Sequence, residues 1–156
     1  MSNTPFSPFV DHQTPRLAQP RFGSGSVSAR WFMVLGALSA GTSVAFSAAF
    51  AHLPVFAAGV PSAVQSALNQ QQFHSLGLLL TGLAIWVCGT SRWLSAAGGL
   101  MGMGLVLFSF NVYARYVLGF DALRVLVPWG GGAWILAWLC LAVGVAKVKA
   151  IANRIF

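Results

Sequence analysis

The stretch "LNQQQFHSLGLLLTGLAIWVCG", residues 68–89, decides how this chain is read. It opens with three consecutive glutamines and a histidine, and from Phe73 to Gly89 it carries no charge and is dominated by apolar side chains. An α-helix rises about 1.5 Å per residue and needs about 20 residues to cross the hydrocarbon core, with a working range of about 17 to 25. The run 73–89 meets that range, so it reads as a membrane crossing whose polar cluster sits where lipid gives way to water.

Three further apolar runs surround it, at about 31–51, 93–118 and 129–146. None alternates between apolar and polar residues as a barrel strand would. Composition points the same way. The 156 residues are 57% hydrophobic and 7% charged, with a mean hydropathy of +0.75, whereas a soluble domain carries about 25% charge. The expected fold is all-α: a polytopic four-transmembrane-helix bundle over residues 30–147, between a disordered tail at 1–29 and a basic tail at 148–156.

The net charge of +7 raises nucleic acid as a partner, but its distribution argues against that. With four crossings, Arg16, Arg21, Arg30, Arg92, Lys147, Lys149 and Arg154 fall on one side, and only Arg115 and Arg124 on the other. This is the positive-inside pattern and places both termini in the cytoplasm. No soluble module interleaves basic and aromatic residues, so the expected contacts are the lipid bilayer and other membrane helices. The first 29 residues, rich in Ser, Pro, Gly and Gln, cannot bury enough apolar surface to offset the entropy of ordering. Their arginines form no amphipathic pattern, which favours a bacterial inner membrane over a mitochondrial one.

Between the first two spans, Pro61, Val64, Ala67 and Leu68 predict a short helix in the outer interface that runs into the second span. The short turn "GTSR" makes the second and third spans antiparallel neighbours. Asp121 and Arg124 are spaced to pair on one turn. Ala37, Gly41, Ala45 and Ala49 recur every four residues in the first span, and Gly98 and Gly102 form a GxxxG in the third. In lipid such stripes let helix backbones approach, so both are expected to pack inside the bundle. Trp31, Trp93, Trp129, Tyr113 and Tyr116 lie near span ends, as an aromatic belt would.

Chemistry-bearing residues are few. His52, Gln71, His74, Ser109, Asn111 and Arg115 are all expected near the outer side, as an outer polar cluster that could line a vestibule. His52 and His74 could ligate haem or copper, yet no further ligand lies near in sequence; hydrogen bonds to Gln71, Gln72 or backbone are the simpler reading. The only carboxylates, Asp11 and Asp121, lie outside the spans. No proton relay, paired-carboxylate site or Ser-His-Asp triad is therefore indicated. Cys88 and Cys140 fall within spans and suggest neither a disulfide nor a metal site. Gly130–Gly132 lacks the strand, Lys and Ser/Thr of a phosphate loop. No cofactor is expected.

"AFAHL", "QQFHSLGLLL", "LFSFNVY" and "VPWGGGAWILAW" follow one another in the order and spacing of a family of small four-helix membrane proteins, the domain-of-unknown-function 423 family. The resemblance covers about residues 31–146, with His52, Gln71, His74, Ser109, Tyr113, Pro128, Gly130, Gly131 and Trp138 on its recurring positions. This chain departs from the family at Phe110 and Asn111, where small residues are usual, and at Gln70, where an aromatic is usual. The resemblance implies an inner-membrane bundle of unassigned activity. The expected function is non-enzymatic: an accessory or assembly subunit that packs against itself or another membrane protein. A small-solute channel or transporter built on the outer polar cluster, and a bis-His haem or copper protein, are the alternatives.

Overall fold

The structure, a computed structural model, describes residues 27–152; the readings for the rest of the tail and for Arg154 lie outside the described residues. Every regular element among them is helical: α1 (Val27–His52), α2 (Ser62–Cys88), α3 (Arg92–Gly104), α4 (Asn111–Leu118) and α5 (Val127–Ala152). A π-helical stretch, Leu105–Phe110, joins α3 to α4, so Arg92–Leu118 is one continuous rod. Short 3₁₀ turns at Pro54–Phe56 and Arg124–Leu126 interrupt the connections.

Local chemistry sets the ends. Ser91 is the N-cap of α3, its hydroxyl accepting the Leu94 N–H at 3.4 Å, and Gly119 closes α4 in the left-handed region at φ 68°. Pro61, fixed near φ −57°, immediately precedes α2. That helix then runs 27 residues without a break, about 40 Å. The short helix expected to run into the second span forms the first two turns of α2 itself, and the glutamines lie inside a helix rather than at its mouth.

By length and composition α1, the Arg92–Leu118 rod and the Arg124–Lys147 segment are apolar enough to cross a membrane. The α2 helix falls short because any stretch of it long enough to cross includes Gln72 and His74. It packs along α1 nonetheless, and α3 packs on α5, so two antiparallel helix pairs meet with α2 at the join. Lys147 lies over the Trp93 ring at 4.7 Å and Arg30 over Trp86 at 5.8 Å. These pairs mark one basic end of the bundle. From Lys147 back to Trp129, α5 rises about 27 Å, close to the hydrocarbon thickness, so Trp129 marks the opposite, loop end.

The interior has an apolar cluster towards each end. One gathers Leu78, Ile85, Leu94, Met101 and Trp134 from α2, α3 and α5. The other, towards the loop end, joins Phe50, Phe56, Leu68, Val112 and Tyr113. On α1 the buried seam is Ala29, Gly36, Ser43 and Phe50 at seven-residue spacing, with Ser39 between. The stripe Ala37, Gly41, Ala45 and Ala49 faces outward instead. Similarly, Gly98 meets Phe32 across the interior, whereas a Cβ on Gly102 would meet nothing within 4 Å. The expectation that both small-residue stripes pack inside the bundle is corrected on α1 and for Gly102. A pure spacing of four drifts around a helix of 3.6 residues per turn, while alternating threes and fours keep to one side.

Close backbone approaches hold the pairs, Gly82 against Ala29 and Met33 among them. A Cβ on Gly36 would lie 2.8 Å from the Ser75 carbonyl oxygen, and one on Gly130 would lie 2.7 Å from the Phe108 backbone nitrogen. Backbone atoms cannot step aside as a side-chain tip can. Gly36→Ala and Gly130→Ala are each expected to cost about 1–3 kcal/mol, and Gly41→Ala, which faces open space, no more than about 0.5 kcal/mol. Thermal unfolding of the purified variants in mild detergent checks the contrast; three equal midpoints would contradict the packing described.

Candidate functional site

Buried positions on α2 recur at helical spacing: Val64, Ala67, Leu68, Gln71, His74, Ser75, Leu78. That period selects one amide from "NQQQ". Asn69, Gln70 and Gln72 are exposed, whereas Gln71 is fully buried. Its Nε2 donates to the Ser39 carbonyl at 2.9 Å and to Thr42 Oγ1 at 3.2 Å, and its Oε1 accepts from the Tyr113 hydroxyl at 2.8 Å. One carboxamide thus ties α2 to α1 and to α4.

Hydroxyl groups extend the layer. Ser75 Oγ lies 2.6 Å from the Gln71 carbonyl and 2.7 Å from Ser39 Oγ. A hydroxyl has one proton to give, so Ser75 donates to the carbonyl and accepts from Ser39. Ser109 Oγ donates to the Ala67 carbonyl at 3.1 Å, joining the π-helical stretch to α2. Thr42 and Ser43 turn back on their own helix, onto the Ser39 and Ala40 carbonyls. Among the described residues no buried side-chain nitrogen or oxygen lacks a partner.

His74, three residues from Gln71, faces another neighbour. Its Nδ1 lies 2.8 Å from the Gln70 carbonyl, and because a carbonyl only accepts, Nδ1 carries the proton. The ring stacks on Trp134 with centroids 3.9 Å apart and planes 6° from parallel. Trp134 in turn donates its Nε1 proton to the Met101 carbonyl at 3.2 Å. Of the partners expected for His74, namely Gln71, Gln72 or backbone, it takes the backbone, because Gln71 turns towards α1 and α4 while His74 turns towards α5.

The outer polar cluster is therefore several separate contacts. Gln71 and Ser109 share the buried layer, and His74 adjoins it. Asn111 donates to the Leu123 carbonyl at 2.5 Å, holding the connection before α5. Arg115 pairs with Asp121, Nε to Oδ1, at 2.8 Å, so the expected Asp121–Arg124 pair is corrected: Asp121 reaches back to the end of α4. His52 is exposed at the end of α1. In the antiparallel α1/α2 pair His52 lies near the start of α2, and His74 is a further twelve positions along it, about 18 Å away by helical rise. The two histidines do not converge on one metal or haem, and no group of three or more His, Cys, Asp or Glu side chains gathers among the described residues. Cys88 is exposed and Cys140 half-buried, both as free thiols.

Ser39, Thr42 and Ser75 were missed as site residues, since Ser and Thr inside an apolar run read as small packing residues. The seven-residue spacing of Gly36, Ser43 and Phe50 is the signal that would have turned Ser39 inward. Tyr113, read as an interfacial aromatic, is the acceptor-seeking end of the network.

Residues 46–131 match a family model described as protein of unknown function, DUF423. The UPF0382 membrane protein SSP2132 of Staphylococcus saprophyticus is 32% identical over 123 residues, covering 75% of this chain and 98% of that protein. The UPF0382 membrane protein YwdK of Bacillus subtilis is 32% identical over 127 residues, covering 74% and 96%. The UPF0382 inner membrane protein YgdD of Escherichia coli is 27% identical over 126 residues, covering 79% and 95%. No solved structure matches the chain. With its apolar helices and these bacterial relatives, the chain is a multi-pass helical protein of the bacterial inner membrane and belongs to the DUF423 family.

Proposed function

We propose that the protein is a non-enzymatic accessory or assembly subunit, which packs in the membrane against a second copy of itself or another membrane protein. In this reading α2 crosses together with α1, giving four crossings, and both termini face the cytoplasm. Support for the orientation comes from Arg30, Arg92 and Lys147, which share the basic end.

The observation that carries the association is the outward face of α1. Ala37, Gly41, Ala45 and Ala49 are exposed there, and beside them an apolar groove of about 400 Å³ runs between α1 and the α3 rod, lined by Leu35, Leu38, Gly102, Leu105 and Phe110. Lipid gives helices no hydrophobic drive to associate, so a helix docks where small residues let backbones come close. A Cβ added at Gly41 on this face, or at Gly102 in the groove, would meet nothing of its own chain within 4 Å.

The buried polar layer supports a structural role over a solute path. Each of its buried side-chain nitrogen and oxygen atoms has a hydrogen-bond partner within the protein, and its members come from three helices that they hold in register.

Gly41→Leu and Gly102→Leu should leave the thermal midpoint of the isolated protein unchanged. They should remove its stoichiometric partner, or split its homo-oligomer, when it is purified at endogenous level in mild detergent. Unchanged association with unchanged abundance would refute the proposal. Gln71→Leu strands the Tyr113 hydroxyl and should cost about 1–3 kcal/mol, most of it recovered by adding Tyr113→Phe, since removing both partners is nearly neutral. A double variant as stable as the parent that abolishes solute flux in liposomes would instead favour the channel reading.

A further inference from the structure

The loop end carries a second cavity of about 300 Å³, between α2, α4 and the start of α5. Its lining is apolar at Ala63, Phe108, Val112, Val127 and Pro128 and polar at Ser66 and Tyr116, with two cations, Arg115 and Arg124. The Arg115 charge lies outward of the apolar floor. A Cβ on Gly130 would touch Phe108, which puts Phe108 level with the Trp129 boundary, and Arg115 lies seven residues further along the rod, about 10 Å nearer the water. Moving outward, the cavity changes from hydrocarbon-like to cationic over the distance in which a phospholipid changes from acyl chain to phosphate.

Charge at this end is unbalanced. Asp121 is the sole carboxylate among the described residues, and it takes Arg115 Nε. The Arg115 guanidinium also lies over the Tyr116 ring at 5.3 Å. Among the described residues Arg124 forms no ion pair. One guanidinium charge is thus uncompensated beside a cavity that also offers the Ser66 and Tyr116 hydroxyls. A planar fork of donors is the side chain best matched to phosphate oxygens. Both arginines also sit opposite the basic end, so the topology bias that explains Arg30, Arg92 and Lys147 does not explain them.

We infer that this cavity binds a phosphate-bearing anion, the phosphodiester headgroup of an anionic phospholipid from the adjacent leaflet. Arg124, with Arg115 beside it, takes the phosphate oxygens, Ser66 and Tyr116 add hydroxyl contacts, and the first acyl carbons lie along Phe108 and Val112. The inference is independent of whether the α1 face has a partner.

The test uses the full-length chain in phosphatidylcholine vesicles doped with a photoactivatable phosphatidylglycerol, followed by mapping of labelled peptides. Labelling is expected on the segment around Phe108–Tyr116. Arg124→Gln should reduce it about tenfold, and Arg115→Gln with Arg124→Gln should abolish it, with labelling near Trp93 unchanged as the internal control. Arg124 has no ion-pair partner, so its variant reports binding without loosening the Asp121 connection, and an unaltered thermal midpoint verifies this. Equal labelling in parent and variants would overturn the inference. Loss of labelling under excess inorganic phosphate, with a phosphate-dependent rise in midpoint that Arg124→Gln removes, would overturn the lipid source and assign the site to soluble phosphate.

Discussion

A primary carboxamide presents two N–H donors and a carbonyl acceptor, and in hydrocarbon it finds no water to satisfy them. Gln71 meets this demand by reaching two other helices: the Ser39 carbonyl and Thr42 hydroxyl on α1, and the Tyr113 hydroxyl on α4. The requirement fixes more than one residue. Since α1 packs chiefly on α2, its axial register depends on contacts that apolar side chains alone would leave free to slide. The Gly36 approach to Ser75 and the Ser39–Ser75 hydroxyl pair lie within a turn of the amide and fix the same register. Close packing brings the backbones near enough for hydrogen bonds, and the hydrogen bonds admit only one register for the packing.

The π-helical stretch belongs to this constraint. One extra residue in a turn rotates everything beyond it, and Leu105–Phe110 lies between the face of α3 that packs on α5 and the face of α4 that carries Tyr113. Ser109 is fully buried within it and donates to the Ala67 carbonyl, one turn from Gln71. A regular α-helix through the same residues would have to choose between packing Gly104 against Trp134 and aiming Tyr113 at Gln71. The widened turn serves both, in keeping with the tendency of π-bulges to occur where a helix must satisfy two partners.

Three of the four expected spans were legible because 17 or more apolar residues in a helix have few alternatives, and the helical class followed from the lack of alternation. Which side of each helix faces inward was harder to read. Within α1 nearly every residue is apolar or small, so hydrophobicity shows no periodicity there; the inward side is set by where Gly36 and Ser39 meet α2, a tertiary fact. The Gln71 environment was half legible: its burial followed once α2 was continuous, but its partners lie 29 to 42 residues away along the chain. The Arg115–Asp121 pair was missed for a related reason, because Gly119 folds the chain back at the end of α4 and defeats helical spacing.

The residues that carry the family resemblance acquire physical roles here. Gln71, His74, Ser109 and Tyr113 make interior hydrogen bonds or stacks, Gly130 admits the Phe108 backbone, and Trp138 packs near Phe73. These residues are accounted for by holding the helices together, whereas His52 is exposed at the end of α1. Their recurrence is what a shared scaffold demands whatever its members do, so the resemblance by itself argues for no reaction. Features that the scaffold does not require lie elsewhere: the exposed small-residue face of α1 and the uncompensated guanidinium at the loop end. Removing either would leave the buried layer intact. What this protein does for the cell is therefore to be sought on those surfaces, at the boundaries of the bundle with its neighbours and with lipid.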